Sequence, residues 1–61
     1  MSTKAWYIEN TNELETALNK IMKNFPCFIL RELVEMDFSK IEIKARTEDF
    51  RAIETILAPL M

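Results

Sequence analysis

Apolar positions follow a helical period in the segment between Asn12 and Phe25. They recur at intervals of three and four residues, which is the stripe of an amphipathic helix with one buried side. Asn10, Thr11 and Asn12 are all favourable N-cap residues, and Asn12 and Glu15 have the spacing of a capping box, so we expect the helix to begin there. Pro26 disfavours helical geometry at Phe25 and ends the helix. We expect the whole stripe to lie in the core: Leu14, Ala17, Leu18, Ile21, Met22 and Phe25.

A second helix is predicted near the C-terminal end of the sequence, beginning at Thr47. Threonine is a favourable N-cap residue, and the acidic side chains of Glu48 and Asp49 suit the first turn of a helix. Pro59 ends this helix, because a proline cannot continue the backbone hydrogen bonding. The apolar face comprises Phe50, Ile53, Ile56, Leu57 and Leu60.

Three further segments carry the patterns of strands. Residues 40–46 alternate polar and apolar positions without interruption, which is the period of a strand with one buried face. Residues 4–9 are short and aromatic, a composition typical of a strand. Residues 27–36 fit either a strand or a helix, because their apolar residues also repeat at intervals of four. We interpret them as a strand that pairs with residues 40–46 through a short turn near 37–39; the alternative is a mostly helical protein.

The resulting order is strand, helix, strand, strand, helix, so the predicted fold class is α+β. Right-handed crossovers place both helices on one face of a three-stranded sheet. This arrangement is similar to the ferredoxin-like one without its last strand, a likeness of topology that implies no function. A chain of 61 residues has room for one small core, so we expect a single domain over residues 1–61.

The open face of such a sheet predicts self-association. The buried sides of the two helices and of the strand at residues 40–46 do not account for all apolar residues of the chain. The remaining ones lie mainly in residues 27–36. Contiguous exposed apolar surface marks an interaction surface, and a domain of this size is marginally stable alone. We therefore expect a homodimer, in which the open face or a strand edge meets its copy.

The pattern leaves two orientations open for residues 27–36. Either Phe28, Leu30 and Val34 face the helices while Ile29 and Leu33 face outward, or the reverse. The first orientation gives the expected contact residues, which are Trp6, Ile29, Arg31 and Leu33, with Lys40, Lys44 and Arg46 at the rim.

Composition narrows the possible chemistry. The sequence has no histidine, the commonest general acid or base and the commonest metal ligand, and no glycine for a phosphate-binding loop. Cys27 is the single cysteine, and we expect a buried structural thiol because no histidine can activate it. We therefore expect a non-enzymatic protein without a metal or cofactor. A lone free thiol indicates a reducing compartment, so we expect the cytoplasm.

A nucleic-acid-binding module is the alternative to a protein-interaction module. Lys40, Lys44 and Arg46 share the outward side of one predicted strand, we expect Arg31 beside them, and Trp6 or Tyr7 could stack on bases. Against this, Glu42 interrupts the basic stripe, and eight basic residues face ten acidic ones. A dimer groove that binds a small molecule is a further alternative. We expect no membrane partner, because no apolar run is long enough to span a bilayer and the first residues do not resemble a signal peptide.

Overall fold

The computed structural model describes all 61 residues and contains the predicted elements in the predicted order. The three strands are β1 (Ser2–Glu9), β2 (Cys27–Glu35) and β3 (Phe38–Ala45). The two helices are α1 (Asn12–Asn24) and α2 (Phe50–Leu57), and short 3₁₀ turns flank α2 at Thr47–Asp49 and Ala58–Leu60. The uncertain segment 27–36 is therefore a strand along nearly all of its length, and the helical alternative is wrong.

The strands form one antiparallel sheet in the order β1-β3-β2. This is the strand order expected for a ferredoxin-like sheet without its last strand, and the α+β class is confirmed. β3 is the central strand and pairs with a neighbour on both sides. β1 and β2 are the two edge strands.

Alternation along β3 defines the two faces of the sheet. Ser39, Ile41, Ile43 and Ala45 point towards the helices and are buried, whereas the even-numbered residues between them point to the other side. Both helices contribute to the same core, so both lie on one face. The core cluster comprises Ile8, Leu14, Ala17, Leu18, Ile21, Ile41, Ile43, Ala45, Phe50, Ile53 and Leu57. We call the uncovered side the open face.

The N-cap of α1 is one residue before the predicted cap, Asn12. The hydroxyl of Thr11 accepts a hydrogen bond from the backbone N–H of Leu14 at 3.2 Å, so Thr11 is the N-cap and the expected capping box of Asn12 with Glu15 is wrong. Thr11 has the extended backbone that an N-cap requires. The predicted core stripe is confirmed except at Met22, which lies on the exposed margin of the helix, and Phe25, which is only partly buried.

The chain enters α2 through a 3₁₀ turn. Thr47 does not cap α2; its hydroxyl lies 2.6 Å from that of Ser2. Asp49 is buried and accepts hydrogen bonds from Arg46, Nε to Oδ2 at 2.7 Å and an N–H of the guanidinium to Oδ1 at 3.2 Å. This ion pair therefore closes the turn from β3 into the helix.

The outer strand β1 is tied to α2 through its helix-facing side chains. Trp6 packs against Phe50, with ring centroids 6.3 Å apart. The Nζ of Lys4 lies 5.4 Å from the centroid of Phe50 and 2.5 Å from a carboxylate oxygen of Glu54. The helix side of β1 is thus covered.

The turn between β2 and β3 consists of two residues, Met36 and Asp37. No residue of the chain has a positive φ, so this is not the glycine-dependent primed turn that two-residue hairpins favour. Instead, the register shifts between Leu33 and Glu35, which leaves Val34 as an extra residue in β2. A bulge of this kind increases the local twist and lets the strands pair without a glycine.

A candidate protein-contact surface on the open face

The open face consists of four rows of side chains, each running across the three strands. The register places Lys44, Glu42, Lys40 and Phe38 of β3 along the middle of this face. Each of these β3 residues lies between one residue of β1 and one of β2. In the same order, the flanking pairs are Thr3 and Phe28, Ala5 and Leu30, Tyr7 and Glu32, and Glu9 and Glu35.

Four large apolar or aromatic side chains of this face are exposed. The exposed fractions are 73% for Phe28, 62% for Leu30, 63% for Tyr7 and 43% for Phe38. We call these four residues the open-face patch. Nothing in the chain covers them, because both helices and the C-terminal 3₁₀ turn pack on the other side of the sheet.

The charges on the open face are acidic in total. Lys40 and Lys44 are its basic groups, whereas it carries the four acidic residues Glu9, Glu32, Glu35 and Glu42. The Nζ of Lys40 lies 4.0 Å from a carboxylate oxygen of Glu42, so this lysine is already next to an opposite charge. An acidic face with scattered lysines does not favour a polyanion.

Two of the expected contact residues lie on the helix side of the sheet. Trp6 pairs with Ile41 and packs on Phe50, and Ile29 pairs with Ile43 and packs against the core. The expectation that they form the open face is therefore wrong. The reason is the register: residues directly opposite in an antiparallel pair point to the same side, and Ile41 and Ile43 point to the helices.

Arg31 also lies on the helix side, where it is held by α1 and by the loop before α1. Its guanidinium donates hydrogen bonds to a carboxylate oxygen of Glu15 and, at 2.9 Å, to Oδ1 of Asn10. The Nε lies 3.5 Å from the hydroxyl of Ser39. Arg31 is thus a structural link between β2 and α1, and its expected place on the open face is wrong.

The remaining expected contact residues do not lie together on one face of the sheet. Leu33 follows the register of Arg31 and so lies on the helix side, yet it is 68% exposed. Lys40 and Lys44 lie on the open face as expected. Arg46 follows the end of β3 and pairs with Asp49, whose hydrogen bond and negative charge raise the pKa of the guanidinium.

Sequence reasoning missed the four residues of the open-face patch as a set. The signal was present in the second orientation of residues 27–36, which places Phe28 and Leu30 outward. It could be chosen only with knowledge of the pairing between β2 and β3, since both faces of β2 are apolar in part.

The thiol of Cys27 is half-buried at the start of β2, on the helix side. Burial raises its pKa above the ordinary value, and the negative charge of Asp49 raises it further. The thiol is therefore protonated at neutral pH, and a protonated thiol is a poor nucleophile. The structure has no group of three or more acidic or cysteine side chains that could hold a metal ion.

Comparison with known proteins gives no relative. No family model matches the chain, no curated protein matches it, and no solved structure matches it. Neither helix is long and apolar enough to cross a membrane. The open-face patch and its surroundings are therefore the basis for the function proposed below.

Proposed function

We propose that this chain is a non-enzymatic protein-interaction or regulatory module that acts as a homodimer, with the open sheet face as its contact surface. The observation that carries the proposal is the open-face patch, four large side chains exposed together on a face that no helix covers. The single cysteine of the chain, Cys27, is a free thiol, which supports a reducing compartment such as the cytoplasm.

The energetics of the patch support a partner. Burial of one large apolar side chain contributes about 1.5–3 kcal/mol. Folded domains have a net stability of about 0.05–0.15 kcal/mol per residue, which gives roughly 3–9 kcal/mol for a chain of this length. Covering the four side chains of the patch therefore contributes an amount similar to the whole stability of the isolated chain.

A nucleic-acid platform is supported less well by the same face. Tyr7, Phe28 and Phe38 are exposed aromatic rings of the kind that stack on bases. However, two of the four cations expected for such a platform are engaged elsewhere: Arg31 bonds to Glu15, and Arg46 bonds to Asp49. The remaining lysines are outnumbered by the acidic residues around them, so protein contact is the better interpretation.

The decisive experiment measures the oligomeric state of the wild type and of Leu30→Glu. We expect the wild type to be dimeric at tens of micromolar in sedimentation equilibrium. The Leu30→Glu substitution places a charge on the open face beside Phe28, and we expect it to raise the dimer dissociation constant at least about tenfold. Met22→Glu is the matched control, because Met22 is equally exposed but lies on α1, on the opposite side of the molecule.

We expect Met22→Glu to remain dimeric and both variants to keep the secondary structure of the wild type by circular dichroism. A monomeric wild type at all accessible concentrations would falsify the homodimer. A dimer that Met22→Glu weakens and Leu30→Glu does not would move the contact from the sheet to the helices.

A further inference from the structure

The open face is polarised along its strands. The row at one end carries a single positive charge and is called the basic end; it consists of Thr3, Lys44 and Phe28. The row at the other end carries two negative charges and is called the acidic end; it consists of Glu9, Phe38 and Glu35. The central strand continues the alternation between them, with Glu42 next to the basic end and Lys40 next to the acidic end.

This polarity makes the face complementary to its own copy in one orientation and not in the other. A two-fold axis through the centre of two stacked faces can run along the strands or across them. An axis along the strands lays each row on the same row of the partner, so that Lys40, Glu42 and Lys44 all oppose their own copies. An axis across the strands reverses the order of the rows. Glu42 then opposes the partner's Lys40, and the basic end of each copy covers the acidic end of the other.

The ends keep this complementarity when the sheets cross at the angle usual for stacked sheets. Such sheets lie about 10 Å apart and cross at about 30°. The middle rows stay in register because they lie near the axis, whereas the ends, about 10 Å from it, move sideways by about 5 Å, which is one strand spacing. Lys44 then lies over the partner's Glu9 or Glu35, which flank Phe38 and are both carboxylates.

The exposed area of the whole face is sufficient for a dimer contact. An aromatic side chain has about 150–250 Å² to bury, so the three rings of the open-face patch, which are 43–73% exposed, present roughly 350 Å². Stable interfaces bury about 800 Å² on each partner. None of the other nine side chains of the face is buried, and about 50 Å² from each supplies the rest.

We propose that a second copy of this chain covers the open face in a face-to-face stack whose two-fold axis runs across the strands, with Glu42 of each copy opposite the partner's Lys40. This inference rests on the self-association proposed above and specifies its geometry. The Nζ of Lys40 lies 4.0 Å from a carboxylate oxygen of its own Glu42. An ammonium group has three donors, so it can bind the partner's carboxylate as well.

The same orientation covers the open-face patch. In the middle rows Tyr7 opposes the partner's Ala5, whose small side chain leaves room for the ring, and Leu30 lies in the same row as Ala5. Phe28 belongs to the basic end and therefore meets the acidic end, which contains the partner's Phe38. All four side chains of the patch are thus inside the contact.

A charge exchange within one chain tests the orientation. The double variant Lys40→Glu with Glu42→Lys has the composition and net charge of the wild type and keeps opposite charges at the two positions. Its own dimer again opposes unlike charges, so we expect a dissociation constant within about threefold of the wild type. In a dimer of wild type with the variant, residue 40 of each chain opposes residue 42 of the other, and both pairs carry like charges.

The fraction of mixed dimers measures this difference. Equal amounts of the wild type and the double variant are mixed, and the dimers are counted by native mass spectrometry, with one chain isotope-labelled because the two have the same mass. Random exchange makes half of the dimers mixed, and we expect at least about threefold fewer. Labelled and unlabelled wild type are the control, and we expect them to mix randomly.

Each other result of the mixing experiment contradicts the proposed stack. An excess of mixed dimers would overturn it, because an axis along the strands makes both pairs of the mixed dimer opposite in charge. Random mixing would place residues 40 and 42 outside the centre of the contact, and a monomeric double variant beside a dimeric wild type would do the same. A monomeric wild type would show instead that the proposed function itself is wrong.

A second variant tests the two ends of the face. Lys44→Glu places a negative charge against the partner's acidic end, and we expect it to raise the dimer dissociation constant at least about tenfold. Lys23→Glu is the matched control, because it changes the net charge equally on the exposed side of α1. We expect it to change the dissociation constant less than about twofold. Equal weakening by the two variants would overturn the stack, since net charge alone would then account for the effect.

Discussion

Ser39 is the one uncharged polar side chain buried in the centre of the sheet, and it lies beside Arg31 on the helix side. The hydroxyl is 2% exposed and donates a hydrogen bond to Oδ1 of Asn10 at 2.5 Å. Arg31 donates to the same oxygen and to Glu15. A buried hydroxyl needs a partner, and Asn10 supplies it, while the register of β2 places Arg31 next to the same oxygen.

The role of Asn10 gives a prediction at this scale. Asn10→Ala removes the acceptor of the Ser39 hydroxyl and one acceptor of Arg31, so we expect the free energy of unfolding to fall by about 1–3 kcal/mol. Urea denaturation followed by circular dichroism measures this change. Asn24→Ala is the control, since Asn24 bonds only to a backbone carbonyl on the exposed surface, and we expect a change within about 0.5 kcal/mol. Equal losses in the two variants would show that the buried network contributes nothing particular.

The elements were predictable where one period dominated the sequence. The stripe of α1 and the alternation of β3 each bury one side and expose the other, so their type and their buried faces followed from spacing alone. The faces of β1 and β2 did not follow, because each has large apolar residues on both sides. Only pairing with β3 decides that Trp6 and Ile29 point inward, and pairing is a property of the sheet rather than of one segment.

The start of α1 gives the prediction at the scale of an element. Thr11→Ala removes the side-chain acceptor for the N–H of Leu14, so we expect a loss of about 0.5–2 kcal/mol of stability, measured by urea denaturation. Thr16→Ala is the matched control, because the hydroxyl of Thr16 donates a hydrogen bond to the backbone carbonyl of Asn12 on the exposed side of α1. We expect Thr16→Ala to be neutral or slightly stabilising, since alanine has the higher helix propensity. A Thr11→Ala variant as stable as the wild type would show that the loop, not the cap, fixes the start of α1.

The charge of the whole molecule gives a further prediction. The chain has a net charge of −2, and its open face is acidic as well. Binding to a nucleic acid depends on neutralising phosphates, so we expect no binding to a labelled single-stranded oligonucleotide at low salt and tens of micromolar protein, measured by fluorescence anisotropy. Binding that weakens steeply as salt rises, and that Lys40→Glu with Lys44→Glu abolishes, would instead favour the nucleic-acid module.

The pairing of Lys4 with Glu54 has a consequence for the free edge of β1. β1 is an edge strand, so the backbone N–H and C=O groups on its outer side are free to pair with a strand of another molecule. Lys4 lies on that edge and is held there by Glu54 and by the ring of Phe50. A charged side chain fixed on an edge strand opposes further strand addition. The β1 edge is therefore protected against strand addition, whereas β2, the other edge strand, carries exposed apolar side chains.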